Sequence, residues 1–438
     1  MKPSKHLPWL YEQLPELVNS GVLSAEAAER LRTHYGEIPR RDRLRLALIA
    51  CSILGALLVG LGIILLFAHN WEDLTRPMRT ALSFAPMVLG QVLAGYTLAR
   101  QKHVLAWSEG AGIFLTLAIG ASIALVAQTY HLSDDPAAFM LTWMLLSLPL
   151  VYLLEASAPA LIYLWGITTW AENSQSEYGH AFWFWLLFIA VLPHYWQIVR
   201  ADRASSRSAL LGWGLALCLC IAPGIALEHA VPGLWIVTYT ALFSALWLAG
   251  WKWFDDVPSL WQRAFQIVGG GGALVLSFIL TYSWPWKEIG WRHLREGAGY
   301  QEFGVFMDCL IAAAFFALSL YLLSRTFSGL NRIQVFVAII PVLTLVAFTL
   351  TSLDVNKIVL TVSFNFIVLA AGVITMQEGI QKENLGMVNL GMLIISALIV
   401  MRFFESEWSF LTRGLVFIAL GAGFLVTNWI IIRRGQRA

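Results

Sequence analysis

Long apolar segments, separated by short polar breaks, make up almost all of the chain after residue 46. A helix needs about 20 apolar residues to cross the hydrocarbon core of a bilayer. Hydrophobic residues form 58% of the 438 residues and charged residues only 13%, about half of the charged share in a soluble domain. The sequence therefore predicts an all-α polytopic integral membrane protein and excludes a nucleic-acid binder.

Fourteen transmembrane helices fit this pattern of apolar segments. The fourth and fifth are short and lie close together, so one broken element is the alternative for that region. The predicted spans are 46–68, 79–99, 109–129, 138–154, 158–171, 181–199, 209–228, 233–251, 264–284, 304–323, 333–352, 358–377, 386–404 and 413–432.

The distribution of positive charge favours separate fourth and fifth spans. With fourteen spans and a cytoplasmic N-terminus, 21 Lys and Arg residues lie on the cytoplasmic side and 8 on the other. Merging the two spans changes these numbers to 16 and 13, which nearly removes the asymmetry. Since cytoplasmic loops carry an excess of Lys and Arg, we predict fourteen spans with both termini in the cytoplasm.

Residues 1–45 differ from the rest because they hold 14 of the 56 charged residues. Apolar residues at helical spacing predict one helix over 8–19, and Ser24 is a suitable N-cap for a second helix through Tyr35. We therefore expect a small cytoplasmic helical hairpin over 1–45, followed by a transmembrane domain over 46–434. The hairpin is a candidate binding surface for a cytosolic protein partner.

The third span carries small or polar residues at every fourth position along one face. Such a stripe indicates either close helix packing or a pathway through the membrane. Its members are Gly112, Thr116, Gly120, Ala124 and Gln128.

Polar and charged residues collect at one predicted level on the outer side of the membrane. Arginines are uncommon there, so they need acidic partners, for which Glu72, Asp308 and Glu405 are candidates. We interpret the group as a substrate-binding cluster, although helix ends also favour polar residues without any function. Its members are His69, Asn70, Trp71, Arg79, Gln128, Tyr130, His131, Asp308, Arg402, Glu405 and Arg413.

Three further residues are candidates for gating or proton transfer. Glu109 lies at the inner end of the striped span. His194 follows Pro193, which is expected to kink the sixth span. Asn365 lies near the middle of the twelfth span, where an amide serves more often to join helices than to bind a ligand.

No residue pattern indicates a metal or a cofactor. His69 and His131 with Asp134 and Asp135 offer suitable zinc ligands but lack a local ligand spacing. The four glycines of 269–272 lack the Lys-Ser/Thr of a phosphate-binding loop, so they predict close packing or a helix break. The cysteines lie in apolar runs and are expected to be packing residues: Cys51, Cys218, Cys220 and Cys309.

Several motifs resemble those of a large bacterial family of predicted membrane proteins of unknown function. They include Gly60 to Trp71, ending in His-Asn-Trp, and Ala127 to Asp135, which contains Gln-Thr-Tyr-His. The resemblance covers about 9–155, and a second part near 385–434 is similar to longer family members. It implies a location in the bacterial cytoplasmic membrane and carries no known activity.

Our leading hypothesis is a transporter or flippase-like carrier of an amphipathic or anionic envelope-related substrate. In this hypothesis Arg79, Arg402 and Arg413 hold anionic groups. One alternative is a membrane-embedded enzyme that acts on a lipid-linked substrate with His69 or His131 as general base. Another is a scaffold that recruits a cytosolic partner. The lack of a recognisable catalytic motif disfavours the enzyme, and membrane lipids are expected partners in every case.

Overall fold

The structure is a computed structural model. It describes residues 7–35, 74–132, 135–227, 231–287, 289, 302–326, 331–353 and 355–405, together with 415, 418 and 421–423. Helices are the regular elements of these residues, and no strand occurs among them. The helices are α1 (Leu7–Asn19), α2 (Ala25–Tyr35), α3 (Arg76–Tyr96), α4 (Leu105–Tyr130), α5 (Pro136–Leu153), α6 (Ser157–Tyr178), α7 (Phe184–Ile189), α8 (Leu192–Ala201), α9 (Ser206–Ala226), α10 (Leu234–Phe254), α11 (Ala264–Ile279), α12 (Glu302–Thr326), α13 (Arg332–Ser352), α14 (Lys357–Gln381) and α15 (Leu385–Glu405).

Ten helical segments in the described part of the chain are long and apolar enough to cross a membrane. This finding confirms the predicted class, an all-α polytopic membrane protein. The first predicted span, 46–68, and most of the last, 413–432, lie outside the described residues. The total of fourteen spans therefore stays a prediction, as does the side on which each terminus lies.

The chain divides into two compact units, Met1–Arg79 and Thr80–Ala438. In the first, α1 and α2 contact each other and follow the predicted bounds closely. The hydroxyl of Ser24 accepts a hydrogen bond of 3.2 Å from the backbone N–H of Ala27, which confirms its role as the N-cap of α2. Gly21 turns the chain between the helices with a positive φ of 74°.

In the second unit, the buried apolar side chains form two large clusters. One joins α5 to α9 around Met144, Tyr163 and Phe184. The other joins α10 to α14 around Trp286 and Phe364. Helix α10 packs against α11, α12 and α13, so it forms the centre of the second cluster.

The four consecutive glycines lie inside α11, and three of them, Gly269, Gly270 and Gly272, let it approach α10 closely. A Cβ atom on Gly269 would lie 2.8 Å from the carbonyl oxygen of Phe243, and one on Gly270 would meet the ring of Trp247. The helix continues through all four residues. The glycines therefore serve close packing, as predicted, without a helix break.

The small-residue stripe of the third span, α4, is largely a packing surface. A Cβ atom on Gly112 would lie 2.6 Å from Pro159, and one on Gly120 would lie 2.5 Å from the ring of Trp143. The same indole donates a 2.7 Å hydrogen bond to the carbonyl of Thr116. These contacts fill the stripe along its first part, so packing, not a pathway, explains it there.

The predicted and observed helix boundaries can be compared at three places in the chain. Helices α5 and α6 are separate helices, but of the two the ten apolar segments include only α5, so the prediction that both cross the membrane stays a prediction. The sixth predicted span is broken into α7 and α8 just before Pro193, which confirms the expected disruption. The ninth span is shorter than predicted, because α11 ends at Ile279 and a short 3-10 turn follows at Trp284–Trp286.

Candidate functional site

The carboxylate of Glu109 binds the N-terminus of a neighbouring helix. Glu109 lies in the first turns of α4, and its Oε1 accepts a 2.8 Å hydrogen bond from the backbone N–H of Ser157. Its Oε2 accepts a 2.7 Å bond from the N–H of Ala158. The first N–H groups of a helix have no partner within the helix and form its positive end, so they favour a carboxylate. Glu109 therefore ties α4 to the start of α6.

Arg207, in the first turn of α9, completes this arrangement. Its Nε lies 3.4 Å from Glu109 Oε1 and donates a 2.7 Å hydrogen bond to the hydroxyl of Ser157. Its Nη2 donates to the carbonyl of Glu155. The side chains of Glu109 and Arg207 are only 20% and 28% exposed. We call this ion pair, which joins α4, α6 and α9, the Glu109–Arg207 latch.

A polar cavity of about 220 Å³ lies beside the latch. Its volume is below the 300–1,000 Å³ of typical small-molecule sites, so it suits a headgroup-sized ion or a few waters. The walls carry charges of both signs, with Arg207 opposed by two carboxylates. The lining residues are Glu155, His194, Gln197, Ile198, Ala201, Asp202, Ser205 and Arg207.

His194 forms the inner wall of the cavity. The residue is 1% exposed, its ring hydrogen-bonds to the backbone of Ala156, and its Nε2 has no hydrogen-bond partner in the part of the chain that the structure describes. It lies about two helical turns, or about 10 Å, before the end of α8 at Ala201. The cavity therefore extends from the polar ends of the helices into the membrane-spanning part of the bundle.

The break between α7 and α8 places His194 in this position. Tyr152 on α5 donates its hydroxyl hydrogen bond to the carbonyl of Ala190, which lies in the break. The Tyr152 ring also meets the His194 ring edge-on, with centroids 5.9 Å apart. Tyr152 thus donates a hydrogen bond to the Ala190 carbonyl at the break and packs against the imidazole ring of His194.

A second polar group surrounds Arg402 near the end of α15. Its Nη2 donates a 3.1 Å hydrogen bond to the hydroxyl of Thr281, and its guanidinium lies 4.2 Å from the ring centroid of Tyr282. The amide nitrogen of Asn365 donates to the carbonyl of the same Thr281 at 3.1 Å. The structure therefore brings Arg402 together with Asn365, a pairing that the sequence did not indicate.

Further described members of the predicted outer cluster are Tyr130, Gln128, His131 and Asp308. The hydroxyl of Tyr130 lies 3.0 Å from that of Thr80, whereas Gln128 is exposed. His131 is also exposed and ends α4 with a left-handed backbone conformation. Asp308 on α12 is 2% exposed.

Arg79 belongs to the first unit, where its Nε donates a 2.9 Å hydrogen bond to the carbonyl of Leu74. The remaining residues of the predicted cluster lie outside the described residues, or their side chains do. They are His69, Asn70, Trp71, Glu405 and Arg413. The cluster as a whole stays a prediction.

Asp135 and Tyr178 form a hydrogen-bonded pair at the ends of α5 and α6. Asp135 caps α5 by accepting a 2.7 Å bond from the N–H of Ala138, and it accepts a 2.6 Å bond from the Tyr178 hydroxyl. The backbone bond first, then the tyrosine bond, lower the pKa of Asp135 below its ordinary value. The same bond to Asp135 raises the pKa of Tyr178 to about 12. This pair therefore joins the ends of α5 and α6.

Within the described ranges, no group of three or more His, Cys, Asp or Glu residues could hold a metal ion. The chemistry that the site offers is instead ion pairing, hydrogen bonding and proton exchange at His194. Sequence reasoning identified Glu109 and His194 as candidates but did not single out Arg207. A signal was available, because the predicted topology places Glu109 and Arg207 on the same membrane face.

Fold and site together define an all-α, multi-pass membrane protein with a polar cavity beside an interhelical ion pair. A family model described as "Predicted membrane protein (DUF2157)" matches residues 15–160, about a third of the chain. The match includes Glu109 and the start of α6, whereas His194 and Arg207 lie beyond it. No curated protein and no solved structure matches the chain.

Proposed function

We propose that the protein is a membrane carrier for an anionic amphiphile, and that the Glu109–Arg207 latch is its cytoplasmic gate. The observation that carries this proposal is His194, a buried residue that lines a charged cavity beside the latch and whose Nε2 has no hydrogen-bond partner among the described residues. A buried polar atom without a partner costs about 1–3 kcal/mol. Such an atom in a native protein indicates a function or a bound water or ion.

The latch offers a direct mechanism for substrate-dependent opening. An anionic group that enters the cavity competes with Glu109 for Arg207, because both carry negative charge. Once Arg207 turns to the substrate, the start of α9 is no longer held to α6. Binding of the anion thus favours the open state through its stronger contacts there.

The broken helix supports the same function. Carriers often bind their substrates where membrane helices are discontinuous, since the freed backbone groups and helix ends serve as ligands. Here the break between α7 and α8 precedes His194, and α6 and α9 begin beside the cavity. The cavity volume suits an anionic headgroup, so the apolar part of the substrate remains in the bilayer. His194 is positioned to exchange a proton with the bound group.

The proposal also covers the location of the protein, its topology and its cytosolic partner. We place it in the bacterial cytoplasmic membrane with both termini in the cytoplasm, where the hairpin of residues 1–45 binds a cytosolic partner. Arg402, a member of the predicted outer cluster, belongs to the exit site on the opposite face. The transmembrane domain then extends over 46–434.

Reconstitution tests the proposal. Vesicles containing acyl-labelled fluorescent phosphatidylglycerol are treated with dithionite, which bleaches only the outer leaflet unless the lipid is carried across. We expect the purified protein to make the inner-leaflet probe accessible. Arg207→Gln should slow this by about tenfold or more, since a hydrogen bond to a charged group contributes about 1.5–3 kcal/mol.

The matched control is Arg325→Gln, because Arg325 also lies at a helix end but stacks on Tyr321, away from the latch. It should carry the probe at the rate of the unaltered protein. Equal bleaching in vesicles with and without the unaltered protein contradicts the proposal.

A further inference from the structure

An apolar groove of about 350 Å³ lies between α3 and α4. Both helices belong to segments long and apolar enough to cross a bilayer. The volume of the groove falls in the range of small-molecule binding sites. Its lining residues are Leu93, Ala106, Trp107, Gly110, Ala111 and Phe114.

The groove exists because α3 and α4 touch at one level and separate at another. At Gly90 the helices are close, since a Cβ atom there would lie 2.9 Å from the side chain of Leu115. At Gly110 a Cβ atom would meet nothing within 4 Å. Unfilled space of this kind lacks dispersion contacts along its walls, so an apolar occupant is favoured.

Basic residues lie at one end of the groove. The connection from α3 to α4 carries Arg100, Lys102 and His103, all exposed, and leads directly to the groove residues at the start of α4. Lys102 also forms a 3.4 Å ion pair with Glu155. Beside the connection, the ring of Trp107 meets that of Tyr96 edge-on at 5.5 Å. Aromatic and basic residues together are typical of the level of lipid headgroups.

We propose that this groove binds an acyl chain of an anionic phospholipid whose headgroup contacts Arg100 and Lys102. Basic residues beside a membrane span attract anionic headgroups, and the apolar walls accept the chain. The lipid is a resident of the groove and is separate from any carried substrate. The inference therefore does not depend on the proposed carrier function.

Native mass spectrometry of the purified protein tests the inference. The protein is titrated with phosphatidylglycerol and with phosphatidylcholine of the same acyl chains. We expect about fivefold greater retention of phosphatidylglycerol. Gly110→Leu fills the groove and should reduce the retention of both lipids, whereas Arg100→Gln should reduce only that of phosphatidylglycerol. Free glycerol phosphate should not displace the bound lipid.

The matched control is Gly271→Leu, since Gly271 is also a helical glycine with nothing within 4 Å of its Cβ position. It should retain lipid like the unaltered protein. Equal retention of the two lipids, or unchanged retention in Gly110→Leu, overturns the inference. It is also overturned if Gly110→Leu converts a dimer to a monomer without affecting lipid, because the groove would then be an interface between two copies. Displacement by glycerol phosphate alone excludes the acyl-chain contact.

Discussion

Single glycines set the distance between α10 and α11, and their effects differ within one run of four. Gly269 lies against the backbone of α10, whereas Gly271 faces open space. A methyl group on residue 269 must displace the neighbouring helix, whereas a methyl group on residue 271 displaces nothing. The two positions therefore form a matched pair in one helix.

We predict that Gly269→Ala destabilises the protein by about 1–3 kcal/mol, the usual cost of overpacking. Gly271→Ala should be neutral or stabilising by up to about 1 kcal/mol, because alanine favours the helix more than glycine does. Thermal unfolding midpoints in the same detergent measure both. Equal midpoints for the two variants would show that α10 and α11 do not approach each other at Gly269 as described.

For single residues, the sequence predicted a structural role correctly where that role depends on residues nearby in the chain. Ser24 caps α2 three residues before its partner, a pattern that is visible in the sequence. The spacing of Gly112 and Gly120 left close packing and a pathway both open, and it did not indicate the partners Pro159 and Trp143. Spacing identifies a helix face and says nothing about which helix lies opposite.

Among the helices, the α7–α8 break is the element on which the cavity depends. Pro193 made it predictable, because proline lacks the N–H that a continuous helix requires. The hydroxyl of Tyr152 that bonds to Ala190 comes from another helix, α5, so this contact was not predictable from the sequence. The break is therefore stabilised by a contact between helices.

We predict that Tyr152→Phe destabilises the protein by about 1–3 kcal/mol, since it leaves the Ala190 carbonyl without this donor. Tyr321→Phe is the control, because Tyr321 is half-exposed and contacts Lys252 through its ring. Chemical or thermal unfolding in detergent compares the two variants. If both lose the same stability, the Tyr152 bond does not support the break.

For the whole molecule, composition and hydropathy predicted the class of protein but not the arrangement of its helices. All the spans are apolar, so nothing in their composition indicated that α10 lies at the centre of a cluster. The latch joins residues that are far apart in the sequence, so local patterns could not predict it. The hydrogen bond between Arg402 and Thr281 also joins distant residues and was not predictable for the same reason. The charge argument for separate fourth and fifth spans stays a prediction, because α5 but not α6 is among the segments apolar enough to cross a membrane.

Access to position 194 tests most directly whether the latch is a gate. Cys51, Cys218, Cys220 and Cys309 are replaced by alanine, His194→Cys is introduced, and the protein in vesicles is treated with a membrane-impermeant maleimide. We predict slow labelling while the latch is intact. Adding Arg207→Gln should make labelling about tenfold faster, because a charge-assisted contact is lost, and adding Arg325→Gln should leave the rate unchanged. Identical labelling rates with and without Arg207 would contradict the account.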